Sequence, residues 1–171
     1  MTPEINNNVH QKTRSKVLVL GIGNTLLTDE GAGIATLNYL EEHHSQHPHV
    51  RYLDGGTLSF TLTTELQDTD ALIVLDAAEL NAQPGTVRCF EAQAMDQFLG
   101  QAKRSAHEVG LLDLMDMARL MDRLPKQRAL IGIQHETIDW GEAPTAAIAR
   151  AIPEAAAKAV GLIEKWASND A

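Results

Sequence analysis

Cysteine is almost absent from this sequence: Cys89 is the only one among 171 residues. A single thiol can form neither an internal disulfide nor a CxxC zinc site. The stretch around it, residues 86–90, is typical of a strand. We therefore expect Cys89 to be a small buried apolar residue rather than a catalytic nucleophile.

Basic charge and long apolar runs are also scarce. The chain has 14 Lys and Arg against 23 Asp and Glu, a net charge of −9, which disfavours nucleic acid and anionic membranes as partners. No apolar stretch approaches the roughly 18 residues that span a bilayer, and the polar N-terminus lacks the apolar run of a signal peptide. We expect a cytoplasmic protein without membrane insertion, and nothing in the sequence requires more than a monomer.

Short apolar runs alternate with helical patterns along the rest of the chain. Runs bounded by Gly, Asp or turn residues predict strands, and Leu and Ile at helical spacing predict helices. The predicted strands are 17–20, 50–53, 71–75, 86–91 and 129–133, and the predicted helices are 31–42, 58–66, 105–121 and 146–166. Pro153 is expected to start or kink the main segment of the last helix.

This alternation predicts an α/β protein with a mostly parallel sheet and helices on both faces. The strand at 86–91 alternates between polar and apolar residues, as an edge strand does. The length suits one domain, which we expect to cover residues 16–171 after a flexible N-terminal tail, residues 1–15. In such sheets ligands bind outside the carboxyl ends of the strands, near a topological switch point. The residues that follow each strand are therefore the functional candidates.

The loop after the first strand begins with Gly21 and Gly23 and ends with Asp29 and Glu30. A dinucleotide-binding fingerprint would need a small residue where the sequence has Leu26, and a phosphate-binding P-loop would need Gly-Lys-Ser/Thr. The loop therefore serves another purpose. We expect Asp29 to cap the helix that follows, whereas Glu30 is either a similar helix-terminal charge or a ligand.

Two further predicted strands are followed by acidic residues. Asp54-Gly55-Gly56-Thr57 comes after the second strand, and its paired glycines permit positive φ angles or the close approach of a ligand backbone. Asp54 could equally be an ordinary turn residue. Asp76 follows a fully apolar strand, where a carboxylate is well placed for chemistry, although capping of the next turn would explain it too.

Histidine supplies the remaining candidates. Ser105 and Glu108 have the spacing of a capping box, which places His107 in the first turn of a helix. The positive end of the helix dipole disfavours imidazolium, so His107 would stay neutral, as a metal ligand must. His135, after the strand at 129–133, is a rival ligand. The histidine-rich loop at 43–49 is expected to be solvated rather than to hold a metal.

Two carboxylates and one imidazole, those of Glu30, Asp76 and His107, could converge on one side of the sheet. Oxygen and nitrogen ligands of this kind suit nickel, zinc or a similar divalent ion, with coordination positions left open. Because the three residues are far apart in the sequence, no motif spacing demonstrates the site.

Four blocks of this sequence, taken together, resemble the hydrogenase maturation endopeptidases. They are Gly21-Ile22-Gly23-Asn24 with Asp29-Glu30-Gly31, Asp54-Gly55-Gly56-Thr57, Asp76-Ala77, and Ser105-Ala106-His107-Glu108. Their order and spacing match the family from about residue 16 to residue 166. One departure is His135, where many family members have proline. This histidine either has no effect on function or adds a fourth contact near the site.

The resemblance implies a three-layer α/β/α sandwich around a five-stranded sheet, with one antiparallel edge strand, and endopeptidase activity. The substrate would be the precursor of the large subunit of a nickel–iron hydrogenase, from which a C-terminal peptide is removed after nickel insertion. Nickel brought by the precursor would be the recognition signal, and other divalent cations could substitute. The family's metal-contacting and catalytic residues fall on Glu30, Asp76 and His107, and the block Asp54, Gly55, Gly56 and Thr57 on a substrate-facing segment.

The family is often grouped with the aspartic peptidases, but this sequence lacks the paired Asp-Thr/Ser-Gly halves of a two-aspartate dyad. Asp76 or Glu30 would then be the general base. Two other classes stay open. A non-catalytic nickel-binding maturation chaperone would use the same ligands, and a doubly wound nucleotide-binding enzyme is disfavoured by the missing third glycine.

Overall fold

Five strands form one sheet in the part of the chain that the computed structural model describes, residues 15–57, 61–101 and 106–169, without the side chains of 106–109 and 169. The strands are β1 (Val17–Gly21), β2 (Val50–Asp54), β3 (Ala71–Ala78), β4 (Val87–Glu91) and β5 (Gln127–Gln134). Their order is β2-β1-β3-β5-β4; all neighbours are parallel except β4, which pairs antiparallel with β5 at the edge. The predicted sheet, with its antiparallel edge strand, is confirmed.

Helices cover both faces of the sheet. They are α1 (Ala32–His43), α2 (Leu62–Gln67), α3 (Gln93–Leu99), α4 (Ala106–Leu120) and α5 (Ala146–Asn169), and a 3₁₀ turn (Thr28–Gly31) precedes α1. None of the helices in the described residues is long and apolar enough to cross a bilayer. The predicted N-terminal tail lies outside these residues, except for Ser15.

The strands separate two apolar cores because successive side chains of a strand point to opposite faces. On β3, Ile73 and Leu75 pack with α1 and α5, whereas Leu72 and Val74 pack with α2, α3 and α4. Both faces of β3 are buried along its whole length, which explains why its sequence is a continuous apolar run. The result is the expected three-layer sandwich.

Several details differ from the sequence-based expectations. Strand β3 continues for two residues beyond Asp76, so this carboxylate lies within the strand rather than after it. Cys89 is exposed, because edge strand β4 has a partner only on the β5 side; the expectation of a buried thiol was wrong. Pro153 lies inside α5, which excludes the first of the two expected roles, a helix start; a kink at Pro153 stays a prediction. Helix α3 was not predicted, and Leu58, expected in the second helix, lies outside the described residues.

Helix α1 sits directly on the ends of two central strands. A methyl group at Gly33 would lie 2.2 Å from the carbonyl oxygen of Leu75 and 2.4 Å from that of Ile22. The backbone of Ile22 in turn donates a hydrogen bond to the Leu75 carbonyl, at 3.0 Å. Only glycine permits this approach. Gly33 therefore sets how closely α1, and the turn before it, pack against the ends of β1 and β3.

A pair of glycine substitutions tests this contact. We expect Gly33→Ala to lower the free energy of unfolding by about 3 kcal/mol, because an added methyl group must displace two backbone carbonyls. Gly161, in α5, has no atom within 4 Å of the corresponding position. Gly161→Ala is therefore expected to raise the free energy of unfolding by about 0.5–1 kcal/mol, since alanine favours helix. Urea denaturation measures both, and equal effects would contradict the packing argument.

Candidate active site

The carboxyl ends of β1 and β3 form the switch point of the sheet. The chain leaves β1 for α1 and β2 on one side, then crosses to β3 on the other side of β1. Gly21 at the end of β1 pairs in register with Leu75 of β3, the residue before Asp76. Glu30 lies in the 3₁₀ turn that follows β1. Both carboxylate-bearing segments are therefore at the edge where parallel sheets bind ligands.

Asp76 belongs to the face of the sheet that α4 covers. It is 1% exposed, and strand alternation places it on the same face as Leu72 and Val74, which pack with α4. Helix α4 begins at Ala106, so His107 is in its first turn, as predicted. The side chain of His107 lies outside the described residues, and its role as a ligand stays a prediction.

The length and direction of α4 limit where its first turn can lie. Strand β5 begins at Gln127, soon after α4 ends at Leu120, and the connecting residues share a cavity with Asp70, directly before β3. The last turn of α4 is thus at the amino edge of the sheet. A helix of 15 residues is about 22 Å long, which is long enough to reach the opposite, carboxyl edge if α4 runs along the strands. The position of His107 beside Glu30 and Asp76 stays a prediction.

Gly23 allows the loop after β1 to fold back under Glu30. Its φ is +140°, and a side chain there would collide with the carbonyl oxygen of Glu30, 2.0 Å from the position of a methyl group. The Glu30 amide donates to the carbonyl of Leu27 at 2.9 Å, which closes the turn. Glu30 is partly exposed, and its backbone is held in place by this turn.

Asp29 has a different role from the one predicted. It is fully buried and does not cap the helix. Its carboxylate accepts hydrogen bonds from the backbone amides of Glu136 (2.8 Å), Thr137 (3.1 Å) and Thr145 (2.7 Å), and from the Thr145 hydroxyl (3.0 Å). Asp29 therefore ties the turn that carries Glu30 to the loop between β5 and α5.

Burial would by itself raise the pKa of the Asp29 carboxyl. The amides of Thr145, Glu136 and Thr137, together with the Thr145 hydroxyl, outweigh that effect and hold the pKa below its ordinary value. The ionised carboxylate is thus the form that fits this network. No sequence signal could have revealed it, because the partners are 107 to 116 residues away.

The block after β2 is joined to the same edge. The Asp54 carboxylate accepts a hydrogen bond from the Gly56 amide at 2.8 Å, so Asp54 closes a turn in which Gly56 has a φ of +51°. The amide of Gly55 donates to Gly21, and that of Gly23 donates to Gly56, both at 2.8 Å. These hydrogen bonds hold the block against the loop that carries Glu30. Contact of this block, including the exposed Thr57, with substrate stays a prediction.

Gln134 is a structural residue that sequence analysis did not single out. Its buried side-chain oxygen accepts from the amides of Leu80 (2.7 Å) and Ala82 (3.3 Å), which fixes the loop between β3 and β4. The neighbouring His135 is partly buried, with Nε2 3.6 Å from a carboxylate oxygen of Glu79. Its proximity to Glu79 gives His135 a local partner at this edge.

The histidines at 43–49 begin with His43, the last residue of α1, and continue into the loop before β2. His43 stacks on Tyr39 with ring centres 4.2 Å apart, and its Nδ1 is 3.0 Å from the Tyr39 carbonyl. His47 and His49 meet edge to face at 5.9 Å. Among the side chains that the structure describes, which exclude that of His107, no three His, Cys, Asp or Glu are grouped to hold a metal.

The chain is similar in sequence to known hydrogenase maturation proteins. A family model described as hydrogenase maturation protease matches residues 34–164. The hydrogenase expression/formation protein HupD of Rhodobacter capsulatus is 39% identical over 152 residues, which are 88% of this chain and 72% of that protein. The hydrogenase 2 maturation protease of Escherichia coli is 34% identical over 126 residues, 72% of this chain and 76% of that protein.

Solved structures share the fold. The hydrogenase maturating endopeptidase HybD from E. coli superposes with a TM-score of 0.81 at 30% identity, covering 88% of this chain and 93% of that chain. The [NiFe] hydrogenase maturation protease HybD from Thermococcus kodakarensis has a TM-score of 0.75 at 28% identity, covering 86% and 99%. The layers, strand order and switch-point edge described above thus belong to a known protease fold.

The Asp29 network generates a pH-dependent prediction. We expect Asp29→Asn to lower the free energy of unfolding by about 3 kcal/mol at pH 7, because one amide oxygen cannot accept from all four donors. Since folding lowers the pKa of Asp29, its stabilisation is complete above the ordinary value of 3.8 and is lost as pH falls through the folded-state value. Urea denaturation between pH 2.5 and pH 7, at about 0.5-unit steps, measures the difference between wild type and variant.

Asp113→Asn is the matched control, because Asp113 is exposed on α4. Its unfolding free energy is expected to stay within about 0.5 kcal/mol of wild type at pH 7. The difference in unfolding free energy between wild type and Asp29→Asn must become smaller as the pH is lowered. A difference that is constant with pH, or absent at pH 7, would contradict the role of the ionised carboxylate.

Proposed function

The chain belongs to the hydrogenase maturation protease family and is a peptidase, and from that premise we propose that it removes a C-terminal peptide from the nickel-loaded precursor of the large subunit of a nickel–iron hydrogenase. We propose further that it recognises the nickel held by the precursor. The observation that supports the proposal is that the end of β1, which leads to the Glu30 turn, pairs in register with the residue before Asp76; we propose that the first turn of α4, with His107, lies at the same edge. We include in the proposal that the protein acts in the cytoplasm as a monomer.

The donor set fits nickel carried by a substrate. Glu30 and Asp76 supply carboxylate oxygens, and His107 supplies an imidazole nitrogen from the opening turn of a helix, where the dipole favours its neutral form. Such oxygen and nitrogen donors suit nickel and related divalent ions, so another divalent cation could substitute. Three ligands from the protease would leave coordination positions for the precursor, which brings the metal.

The two carboxylates differ in their surroundings. Asp76 is buried within β3 and its position is set by the sheet, whereas Glu30 is partly exposed on a turn held by Gly23 and Asp29. A carboxylate on a rigid element holds a precise position relative to the bound precursor. Nickel in the precursor supplies a fixed point and polarises oxygen ligands. Asp76 or Glu30 then accepts the proton of the attacking water.

The Asp54-Gly55-Gly56-Thr57 block borders the same edge. Its hydrogen bonds to Gly21 and Gly23 keep it beside the loop that carries Glu30. Asp54 and Thr57 are exposed, so a bound peptide could reach their side chains. We propose that this block contacts the polypeptide around the cleaved bond, while Glu30, Asp76 and His107 contact the metal.

Cleavage of the precursor tests the proposal directly. Purified nickel-loaded precursor is mixed with the protein, and the mass of the large subunit is followed by mass spectrometry. Wild type is expected to shorten it at the C-terminus. Glu30→Gln, Asp76→Asn and His107→Ala are each expected to reduce kcat/KM by about 100-fold or more, because each removes a metal contact or the general base.

Glu79→Gln is the matched carboxylate control, since Glu79 follows β3 at the same edge and lies beside His135; it is expected to stay within about two-fold of wild type. Precursor without nickel is expected to remain intact. If wild-type protein binds loaded precursor but leaves its mass unchanged, the chaperone alternative is correct. Full cleavage by Glu30→Gln or His107→Ala would refute the site assignment, and cleavage of nickel-free precursor would refute metal recognition.

A further inference from the structure

Three exposed large apolar side chains lie on the two loops that Asp29 joins. Within the described residues, the exposed large apolar side chains that stand out are Leu26, Leu120, Met121, Ile138 and Trp140. Leu26 comes from the loop after β1, and Ile138 and Trp140 come from the loop between β5 and α5, with exposed fractions of 50%, 48% and 80%. We refer to Leu26, Ile138 and Trp140 as the Trp140 patch.

Backbone hydrogen bonds hold the two halves of the patch together. The amide of Gly141, next to Trp140, donates to the Leu26 carbonyl at 3.0 Å, and the Thr28 amide donates to the Gly141 carbonyl at 2.7 Å. The Thr28 hydroxyl donates to the carbonyl of Thr137 and accepts from the amide of Asp139, on either side of Ile138. The patch is therefore built on fixed backbone, and binding to it would cost little ordering entropy.

The charged residues of the two loops that carry the patch are acidic. Glu136, Asp139 and Glu142 are exposed in the loop after β5, and residues 129–149 contain no Lys or Arg. The loop after β1, residues 22–31, adds the partly exposed Glu30 and also has no basic residue. An apolar centre with an acidic surround complements a partner segment that presents apolar side chains flanked by Lys or Arg.

A small cavity adjoins the patch. Its volume is about 140 Å³, and its lining includes Thr25, Thr28, Ile34, Glu142 and Pro144. This volume is enough for one side chain, and the lining combines apolar atoms with one carboxylate. The cavity also borders Gly31, directly after Glu30, so it is lined by both of the loops that carry the patch.

We propose that the Trp140 patch is the docking surface for a segment of the precursor that is apolar at its centre and basic at its ends, lying outside the cleaved bond. This inference rests on the proposed function, because it takes the occupant from it. Trp is enriched among the residues that dominate binding energy when they lie at the centre of an interface. The patch would hold the precursor while Glu30, Asp76 and His107 reach the metal.

The two tryptophans make the proposal measurable. Trp140 is 80% exposed. Trp166, on α5, is only 4% exposed because it is buried in the apolar core, and it serves as an internal reference. The protein is labelled with 5-fluorotryptophan, and its ¹⁹F spectrum is recorded with increasing unlabelled nickel-loaded precursor, the Trp140 line being assigned from Trp140→Phe. The Trp140 line is expected to shift or broaden and the Trp166 line to stay unchanged.

Steady-state cleavage gives an independent measurement. Trp140→Ala is expected to raise KM for the precursor by about 10-fold, the effect of roughly 1.4 kcal/mol, with kcat within about two-fold. Leu120→Ser is the matched control, because Leu120 is equally exposed but lies at the amino edge, and its KM is expected to be unchanged. Raising salt is expected to increase the wild-type KM more than that of the Glu136→Gln/Glu142→Gln double variant.

The outcomes separate this proposal from the function on which it rests. Normal cleavage with an unmoved Trp140 line and an unchanged KM in Trp140→Ala would overturn the docking surface and leave the protease function intact. A shifted Trp140 line without any cleavage would support docking and overturn the proposed reaction. A Trp140 line that shifts with protein concentration alone would mean that a second copy of the chain covers the patch, which contradicts the proposal.

Discussion

The buried carboxylate of Asp29 joins the loop after β1 to the loop between β5 and α5, at the carboxyl edge of the sheet. Four donors from the loop between β5 and α5 surround it, and Glu30 is the next residue in the chain. Burial of an unpaired charge would be strongly unfavourable, so the network forms as a unit or fails as a unit. The position of Glu30 and the shape of the Trp140 patch both depend on it.

The parallel sheet supplies the remaining constraint. Close backbone approach at Gly33 seats α1 on the ends of β1 and β3, and the positive φ of Gly23 lets the loop turn beneath Glu30. Asp76 is then one strand away, within β3, on the face that α4 covers. These features explain how two carboxylate-bearing segments that are far apart in the sequence reach one edge of the sheet without a contiguous motif.

Sequence analysis predicted the parts of this arrangement that depend on local patterns. Continuous apolar runs identified β1, β3 and β5, because both faces of these strands are buried, and the positions of Glu30 and Asp76 at the carboxyl edge followed from the strands. The role of Asp29 did not follow, because its partners lie in a distant loop. The exposure of Cys89 depends on β4 having a neighbour on one side only. The Trp140 patch also required the structure, since sequence does not show which apolar residues remain exposed.

The proposed reaction depends on recognition of nickel carried by the precursor. Nickel K-edge X-ray absorption of the loaded precursor, frozen alone and immediately after mixing with the protease, measures this recognition. We expect the protease to add oxygen and nitrogen neighbours to the nickel, and His107→Ala and Glu30→Gln each to reduce that gain. An identical nickel environment with and without wild-type protease, in samples in which cleavage proceeds, would contradict nickel recognition.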